Sequence, residues 1–147
     1  CRACNSSAAF ASWAAGARKS SNLAHSSTNN SRQRSECPPD VETLGRSTWS
    51  LLHSITATYP LSPSPAQKSE VVQFLKLFAK LYPCWVCAEG FQAYMEKNHV
   101  RAGSRAELGK WMCEAHNDVN MKLGKNIFNC DKWEERWRTG WKDGTCD

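Results

Sequence analysis

The sequence predicts an all-α protein, a four-helix bundle with a short fifth helix packed across it and a flexible tail in front. Three observations predict it. From Pro38 onward apolar residues recur with helical spacing and no convincing alternating strand pattern appears. Helix-start signals recur at intervals that leave four helices of similar length joined by short connections, which favours a bundle. Residues 1–36 are rich in Ser, Asn and Ala, with Phe10, Trp13 and Leu23 as their large apolar residues, a composition that predicts disorder. The 147 residues therefore divide into an arm, 1–36, and one domain, 37–147, long enough to bury a single modest core.

The elements follow in order. Asp40 caps a first helix with Val41, Leu44, Leu52 and Ile55 on its apolar side. Ser64 with Pro65 in the first turn opens a second, carrying Val71, Phe74, Leu75, Phe78 and Leu81. Pro83 restarts the chain as a third helix, with Cys84 in its opening turn and Cys87 one turn further in. Ser104 and Glu107 form a capping box for a fourth, with Leu108, Met112, Ala115 and Val119 facing inward and Gly124 as its stop. Asp131 and Glu134 repeat the start signal for the short fifth helix.

Charge and cysteine content narrow the function. The net charge of +5 is concentrated in the arm, where Arg2, Arg18, Lys19, Arg32 and Arg34 face Glu36, leaving 14 basic and 13 acidic residues elsewhere. The body is close to neutral and has no basic stripe interleaved with aromatics, so nucleic acid is not the expected partner. No apolar run approaches a membrane span, and membrane insertion is not expected. Eight cysteines in 147 residues suit an oxidising compartment. The chain opens on Cys1 and not on methionine, the expectation being that any targeting segment lies upstream.

Two C-x-x-C pairs stand out, Cys1/Cys4 at the tip of the arm and Cys84/Cys87 in YPCWVC. At a helix start the second pair meets unpaired amides and the positive end of the helix dipole, which stabilise a thiolate and make it a good attacking or leaving group. A zinc ribbon requires its pairs about 15 to 20 residues apart, and Cys4 and Cys84 are far more distant. His99 lies at a finger-like distance from Cys87, but no second histidine follows at the required offset, so no metal site is expected. The thioredoxin arrangement needs a βαβ pattern, which is missing.

A helical dithiol needs another electron sink, and two stripes supply candidates. Cys113, His116, Asn117 and Asn120 recur at i, i+3, i+4 and i+7 on the fourth helix, and Arg46, Trp49 and His53 at i, i+3 and i+7 on the first. Singly, each has an ordinary packing or surface role. Facing one cleft beside a C-x-x-C, they offer stacking rings and fixed hydrogen bonds to a large planar ligand, and a dithiol giving up electrons in pairs needs a two-electron acceptor such as a flavin. A disulfide-stapled interaction or growth-factor-like protein, with both pairs merely structural, is the competing class.

CPPDVETLGRSTWSLLH, YPCWVC, LGKWMCEAHNDVNMKLGK and NCDKWEERWRTGWKDGTCD together resemble the Erv/ALR family of FAD-linked sulfhydryl oxidases over almost everything from Cys37 onward. CRAC resembles the shuttle pair of the family's long mitochondrial members. The resemblance implies an FAD-binding helical bundle that forms a homodimer in the mitochondrial intermembrane space. It implies that Cys84–Cys87 is the redox-active disulfide, with Cys87 next to the flavin and Cys84 exchanging with the shuttle Cys1–Cys4. It implies FAD contacts from Gly45, Arg46, Trp49 and His53, from Cys113, His116, Asn117, Asn120, Lys122 and Lys125, and from Arg136 and Trp137. It further implies a structural Cys113–Cys130 bridge, worth roughly 3 kcal/mol for a loop of that length, and an intersubunit disulfide between Cys37 and Cys146. The electron donor it implies is the disulfide carrier of intermembrane-space import, and the acceptor oxygen, giving hydrogen peroxide, or cytochrome c. Trp85 and Val86 depart from the polar or acidic interior that relatives often carry in this C-x-x-C.

Overall fold

The computed structural model describes residues 37–146. The expectations for residues 1–36, both the disorder and the Cys1/Cys4 pair, lie outside the described residues. Within them the chain forms four helices, α1 (Val41–Thr58), α2 (Pro65–Leu81), α3 (Trp85–Lys97) and α4 (Arg105–Lys122), followed by a 3₁₀ turn at Cys130–Lys132 and a wide turn at Glu135–Thr139. No strand occurs among the described residues. The all-α class read from the periodicity is the class observed.

The helix starts are set by local chemistry. The Asp40 side chain accepts from Thr43 N at 2.8 Å at the head of α1. Ser64 caps α2 with Pro65 behind it, and a reciprocal box forms in which Ser64 Oγ accepts from Gln67 N and the Ser64 amide donates to Gln67 Oε1. At α4 Ser104 Oγ accepts from Glu107 N as expected, but the Glu107 carboxylate lies over Gly103, in space that a Cβ there would occupy. Gly124, at φ +66°, follows the end of α4 in the left-handed conformation that glycine adopts without strain.

Two starts differ from expectation. The helix α3 begins at Trp85 and not at Pro83, so Cys84 is its extended cap residue and its sulfur accepts from Cys87 N at 3.4 Å. Pro83 drives Tyr82 into extended backbone and ends α2, but the chain needs one further residue to turn before helical bonding resumes. The fifth helix is not one α-helix. Asn129, and not Asp131, caps a 3₁₀ turn, and the following turn is widened to i→i+5 bonding over Glu135–Thr139.

The core is built from Leu52, Tyr59, Leu75, Ala79, Phe91, Leu108, Trp111, Met112 and Ala115. The helices pack chiefly as α1 on α4 and α2 on α3, with the wide turn lying on α1. Buried polar ends are satisfied across elements: Tyr59 Oη donates to Ala102 O, Arg105 Nε to Tyr59 O and Trp111 Nε1 to Asn98 O. Of the residues expected inward on α2, Leu75 is buried while Phe74 and Leu81 are exposed, Leu81 at 79%. That helix is apolar around more of its circumference than one bundle can cover.

The C-terminal segment is fastened to α4 at several points. The structure joins Cys113 to Cys130, Lys110 Nζ pairs with Asp131 at 2.7 Å, and the buried Trp133 ring lies in a notch over Gly109, 2.5 Å from where a Cβ would be. Asn117 donates to Phe128 O at 2.8 Å and accepts from Phe128 N at 3.0 Å, replacing both missing backbone partners of that residue. These attachments carry Arg136 and Trp137 back across α1.

Candidate functional site

Cys84 and Cys87 are joined by a disulfide at the head of α3. Cys84 is 2% exposed, whereas Cys87 is half-buried and forms part of a cavity wall. That cavity, about 260 Å³, is lined largely by apolar groups, among them Val41, Leu52, Phe78, Val86 and Phe91. Its polar features are Lys122, ion-paired with Asp118 at 2.5 Å, and a Thr48–Tyr82 hydroxyl pair. Burial pushes the Tyr82 hydroxyl above its usual pKa and the Thr48 hydrogen bond works against that shift.

A second cavity of about 470 Å³ adjoins the first and shares Gly45, Trp49 and Val119 with it. Both stripes read from the sequence face it. Gly45, Arg46, Trp49 and His53 come from α1, Cys113, His116, Asn117 and Asn120 from α4, Lys125 from the following segment, and Arg136 and Trp137 from the wide turn. Lys122 is the exception among the expected cofactor contacts, since it lines the smaller cavity. It stands two positions after Asn120 and three after Val119, which borders both cavities, so it turns toward the cysteine pair.

The rings in the larger cavity are ordered as two stacks. Trp49 lies on His116 with centroids 4.1 Å apart, and His53 lies on Trp137 at 4.3 Å, each pair within 4° of parallel. His53 Nε2 and His116 Nδ1 are 3.0 Å apart and hydrogen-bonded. Burial first, then the His116 and Arg136 charges, hold the His53 pKa at about 3. His116 is held at about 4 by burial and then by Lys125 and Arg136. Both imidazoles are neutral at neutral pH. The Arg136 guanidinium sits 4.2 Å over the Trp137 ring, so the same turn supplies a cation and a flat surface.

Glu42, Ser50, Leu123 and Phe128 also line this cavity and escaped the sequence reading. Glu42 had a signal, since it precedes Arg46 by one helical turn and is ion-paired with it. Phe128 had none, because its place depends on Asn117 holding the loop. The expected intersubunit cysteines, Cys37 and Cys146, are exposed and stand in neither disulfide. Among the described residues no group of three or more His, Cys, Asp or Glu is placed to hold a metal ion.

The Erv1/Alr family model matches residues 46–138, a span that contains the Cys84–Cys87 pair, both stripes and all but the last residue of the wide turn. The chain belongs to the Erv1/Alr family. It is similar to the mitochondrial FAD-linked sulfhydryl oxidase ERV1 of Saccharomyces cerevisiae, 55% identical over 106 residues covering 72% of this chain and 56% of that protein. Among solved structures it resembles the yeast Erv1 core, with a TM-score of 0.72 and 51% identity over 82% of this chain and 99% of that one. It also resembles the FAD binding domain of Erv1 from the same yeast, with a TM-score of 0.69 and 54% identity over 71% of this chain and 99% of that one. The chain spans about half the length of the curated relatives it matches.

Proposed function

We propose that this chain is an FAD-dependent thiol oxidase that makes disulfides in protein substrates. The observation that carries the reading is that Cys87, one half of a disulfide, walls a cavity that adjoins a second, polar, ring-lined one. Its Erv1/Alr relatives, an FAD-linked sulfhydryl oxidase and an FAD binding domain among them, support FAD as the ligand.

The residues fit that cofactor. Pockets for such ligands run to roughly 300–1,000 Å³ and are mostly apolar with a few convergent polar groups. The apolar cavity beside Cys87, with Thr48, Tyr82 and Lys122, would hold the flavin ring. Arg46, Lys125 and Arg136 are cations suited to a pyrophosphate. Trp49, His53, His116 and Trp137, stacked in pairs, would hold the adenosine end, with Gly45, Cys113, Asn117 and Asn120 as walls. Bound there, FAD would supply the acceptor for the electron pair released when two thiols become a disulfide, for transfer to oxygen, giving hydrogen peroxide, or one electron at a time to two cytochromes c.

The chain's own part is thiol exchange. A substrate thiolate attacks Cys84 Sγ, the bond to Cys87 breaks, and Cys87 leaves as a thiolate facing the cavity. The second substrate thiol, losing its proton to solvent, then attacks the substrate sulfur of the mixed disulfide and expels Cys84. The amide of Cys87 and the head of α3 stabilise that departing thiolate. Because Cys84 is buried, the Tyr82–Cys84 turn must open for the first attack.

Cys1 and Cys4 act upstream as a shuttle that exchanges with Cys84. The donor is a disulfide carrier of intermembrane-space import, in keeping with the mitochondrial relatives. Exposed Leu51, Leu77 and Leu81 support a homodimer that buries them, with Cys37 and Cys146 bonded between subunits. Among the described residues no helix is long and apolar enough to cross a membrane. The test is oxygen consumption with dithiothreitol, alongside flavin absorbance and peroxide. A yellow protein that consumes oxygen and keeps this activity in Cys1→Ser/Cys4→Ser, while losing turnover of a protein substrate, supports the scheme. A folded, colourless protein contradicts it and leaves a disulfide-stapled interaction protein.

A further inference from the structure

The smaller cavity is apolar except at one edge. Among the described residues in its wall, α1 contributes no titratable side chain, the end of α2 contributes Tyr82, α3 contributes Cys87, and α4 contributes Lys122, the one charged group facing that space. Burial holds the Tyr82 hydroxyl above its usual pKa, so it stays neutral through the range in which a thiol titrates. When the Cys84–Cys87 bond breaks, a negative charge on Cys87 Sγ therefore has Lys122 as its countercharge across the cavity, in addition to the amides at the head of α3.

Lys122 does not face the sulfur unopposed. Its Nζ is tied to Asp118 at 2.5 Å, one helical turn back on α4. The Lys122 side chain is 52% exposed and that of Asp118 29%, and Asp118 stands in neither cavity wall. The ammonium is thus drawn toward solvent while its residue borders the cavity. The Asp118 charge is also felt on α3. The Tyr94 hydroxyl is pushed up to about 12 by burial first and Glu114 next, with Arg101 opposing and Asp118 adding to the rise. Tyr94 follows Cys87 by seven residues and so shares its side of α3. Arg101 is paired with Glu114 at 2.6 Å, which leaves Lys122 as the cation that answers Asp118.

We propose that Asp118 is a positioning residue for the thiol exchange: by holding the Lys122 ammonium at the cavity mouth it limits how far that charge stabilises the Cys87 thiolate, and so sets how good a leaving group Cys87 is. Releasing Lys122 favours the reduced dithiol and makes the Cys84–Cys87 disulfide a stronger oxidant. The inference rests on the reading of Cys84–Cys87 as the reacting pair, and not on which cofactor the cavities hold.

The experiment equilibrates the full chain, without oxygen and at neutral pH, with mixtures of reduced and oxidised dithiothreitol, and reads Cys84–Cys87 oxidation by alkylation and mass spectrometry. The reaction is a balanced exchange in which the protein disulfide becomes two thiols as dithiothreitol becomes its cyclic disulfide. Asp118→Asn is expected to shift the equilibrium toward the dithiol by about 2- to 10-fold and Lys122→Met by a similar factor the other way, modest changes because solvent screens a half-exposed pair. Lys122→Arg keeps the charge and should stay near wild type. Asp118→Asn/Lys122→Met should match Lys122→Met within about twofold, because Asp118 acts through Lys122. In a Cys84→Ser background, the pH at which Cys87 reaches half its maximal rate with iodoacetamide should fall in Asp118→Asn and rise in Lys122→Met, whereas a merely structural ion pair moves neither reading. Both positions reach solvent, so the variants are expected to melt close to wild type. Unchanged equilibria, a shift toward the disulfide in Asp118→Asn, or a double variant returned to the wild-type value would overturn the proposal. A wild-type Cys84–Cys87 bond that does not exchange with dithiothreitol defeats the thiol-oxidase reading and this one with it, whereas ordinary exchange with unshifted variants defeats this one alone.

Discussion

Cys84–Cys87 joins residues three apart at the head of a helix, and one of its sulfurs faces a cavity. Cys113–Cys130 joins residues 17 apart, ties a loop segment to α4, and is flanked by the Asn117 amide, which donates to Cys130 Sγ at 3.3 Å. The same bond does different work in the two places. A short loop at a helix start contributes little constraint but leaves a thiolate beside positive amide dipoles. A longer loop removes more freedom from the unfolded chain and fixes the segment that roofs the larger cavity. Redox chemistry follows from the surroundings of a disulfide and not from its presence.

The largest effect expected from breaking this contrast is on turnover. Cys84→Ser and Cys87→Ser are each predicted to lower dithiol oxidation at least about a thousandfold while leaving fold and flavin content intact, since the reaction has no second route through the pair. They should differ in colour. Cys84→Ser leaves a thiolate in the wall of the smaller cavity and gains a long-wavelength absorption band, whereas Cys87→Ser does not. Identical spectra from neutral to alkaline pH would reverse the assigned roles.

The converse change, Cys113→Ser with Cys130→Ser, is predicted to cost roughly 3 kcal/mol of stability and to speed flavin loss, with dithiol turnover per bound flavin nearly unchanged. Urea unfolding and flavin release measure the two parts. A smaller loss follows at the other attachment of the same segment. Gly109→Ala puts a methyl against the Trp133 ring, and overpacking of this kind costs about 1–3 kcal/mol. Its melting temperature should fall and its flavin should be released faster, because Trp133 precedes Arg136 and Trp137 in one tightly bent stretch.

The smallest effect per step is the change of stability with each pH unit. The pKa values of His53 and His116 are held near 3 and 4 when folded, below the ordinary 6.5, so the unfolded chain takes up protons first as pH falls. Stability is therefore fully present above about 6.5 and declines through 4 to about 3, with buried His53 contributing at most about 1.4 kcal/mol per pH unit. His53→Phe should flatten that decline. An unchanged slope would mean that the imidazole pair is not held neutral by the fold.

Much of this was legible in the sequence for physical reasons. Asp40, Ser64 with Pro65, and Ser104 mark helix starts through side-chain acceptors, a local effect, and the structure agrees at each. The stripes at Arg46/Trp49/His53 and Cys113/His116/Asn117/Asn120 follow from helical geometry, which alone decides that such residues share a face. What failed depended on contacts distant in the chain. The start of α3 at Trp85 depends on how the Pro83 turn docks, the wide turn at Glu135–Thr139 on the Trp133 notch, and the exposure of Phe74 and Leu81 on what a single bundle can cover. Asn117 looked like a ligand contact and also serves as the clamp for Phe128, a role that needs the loop in place before it can be seen.

The most direct test of the difference between the two disulfides is an anaerobic titration of the purified, flavin-loaded protein with one equivalent of dithiothreitol. Flavin absorbance is followed, and cysteine oxidation is read afterwards by alkylation and mass spectrometry. The flavin is predicted to bleach within the turnover time in wild type and in the Cys113→Ser/Cys130→Ser variant but not in Cys87→Ser, with Cys113–Cys130 still oxidised in wild type. Equal bleaching in Cys87→Ser, or reduction of Cys113–Cys130 ahead of the flavin, would contradict the account.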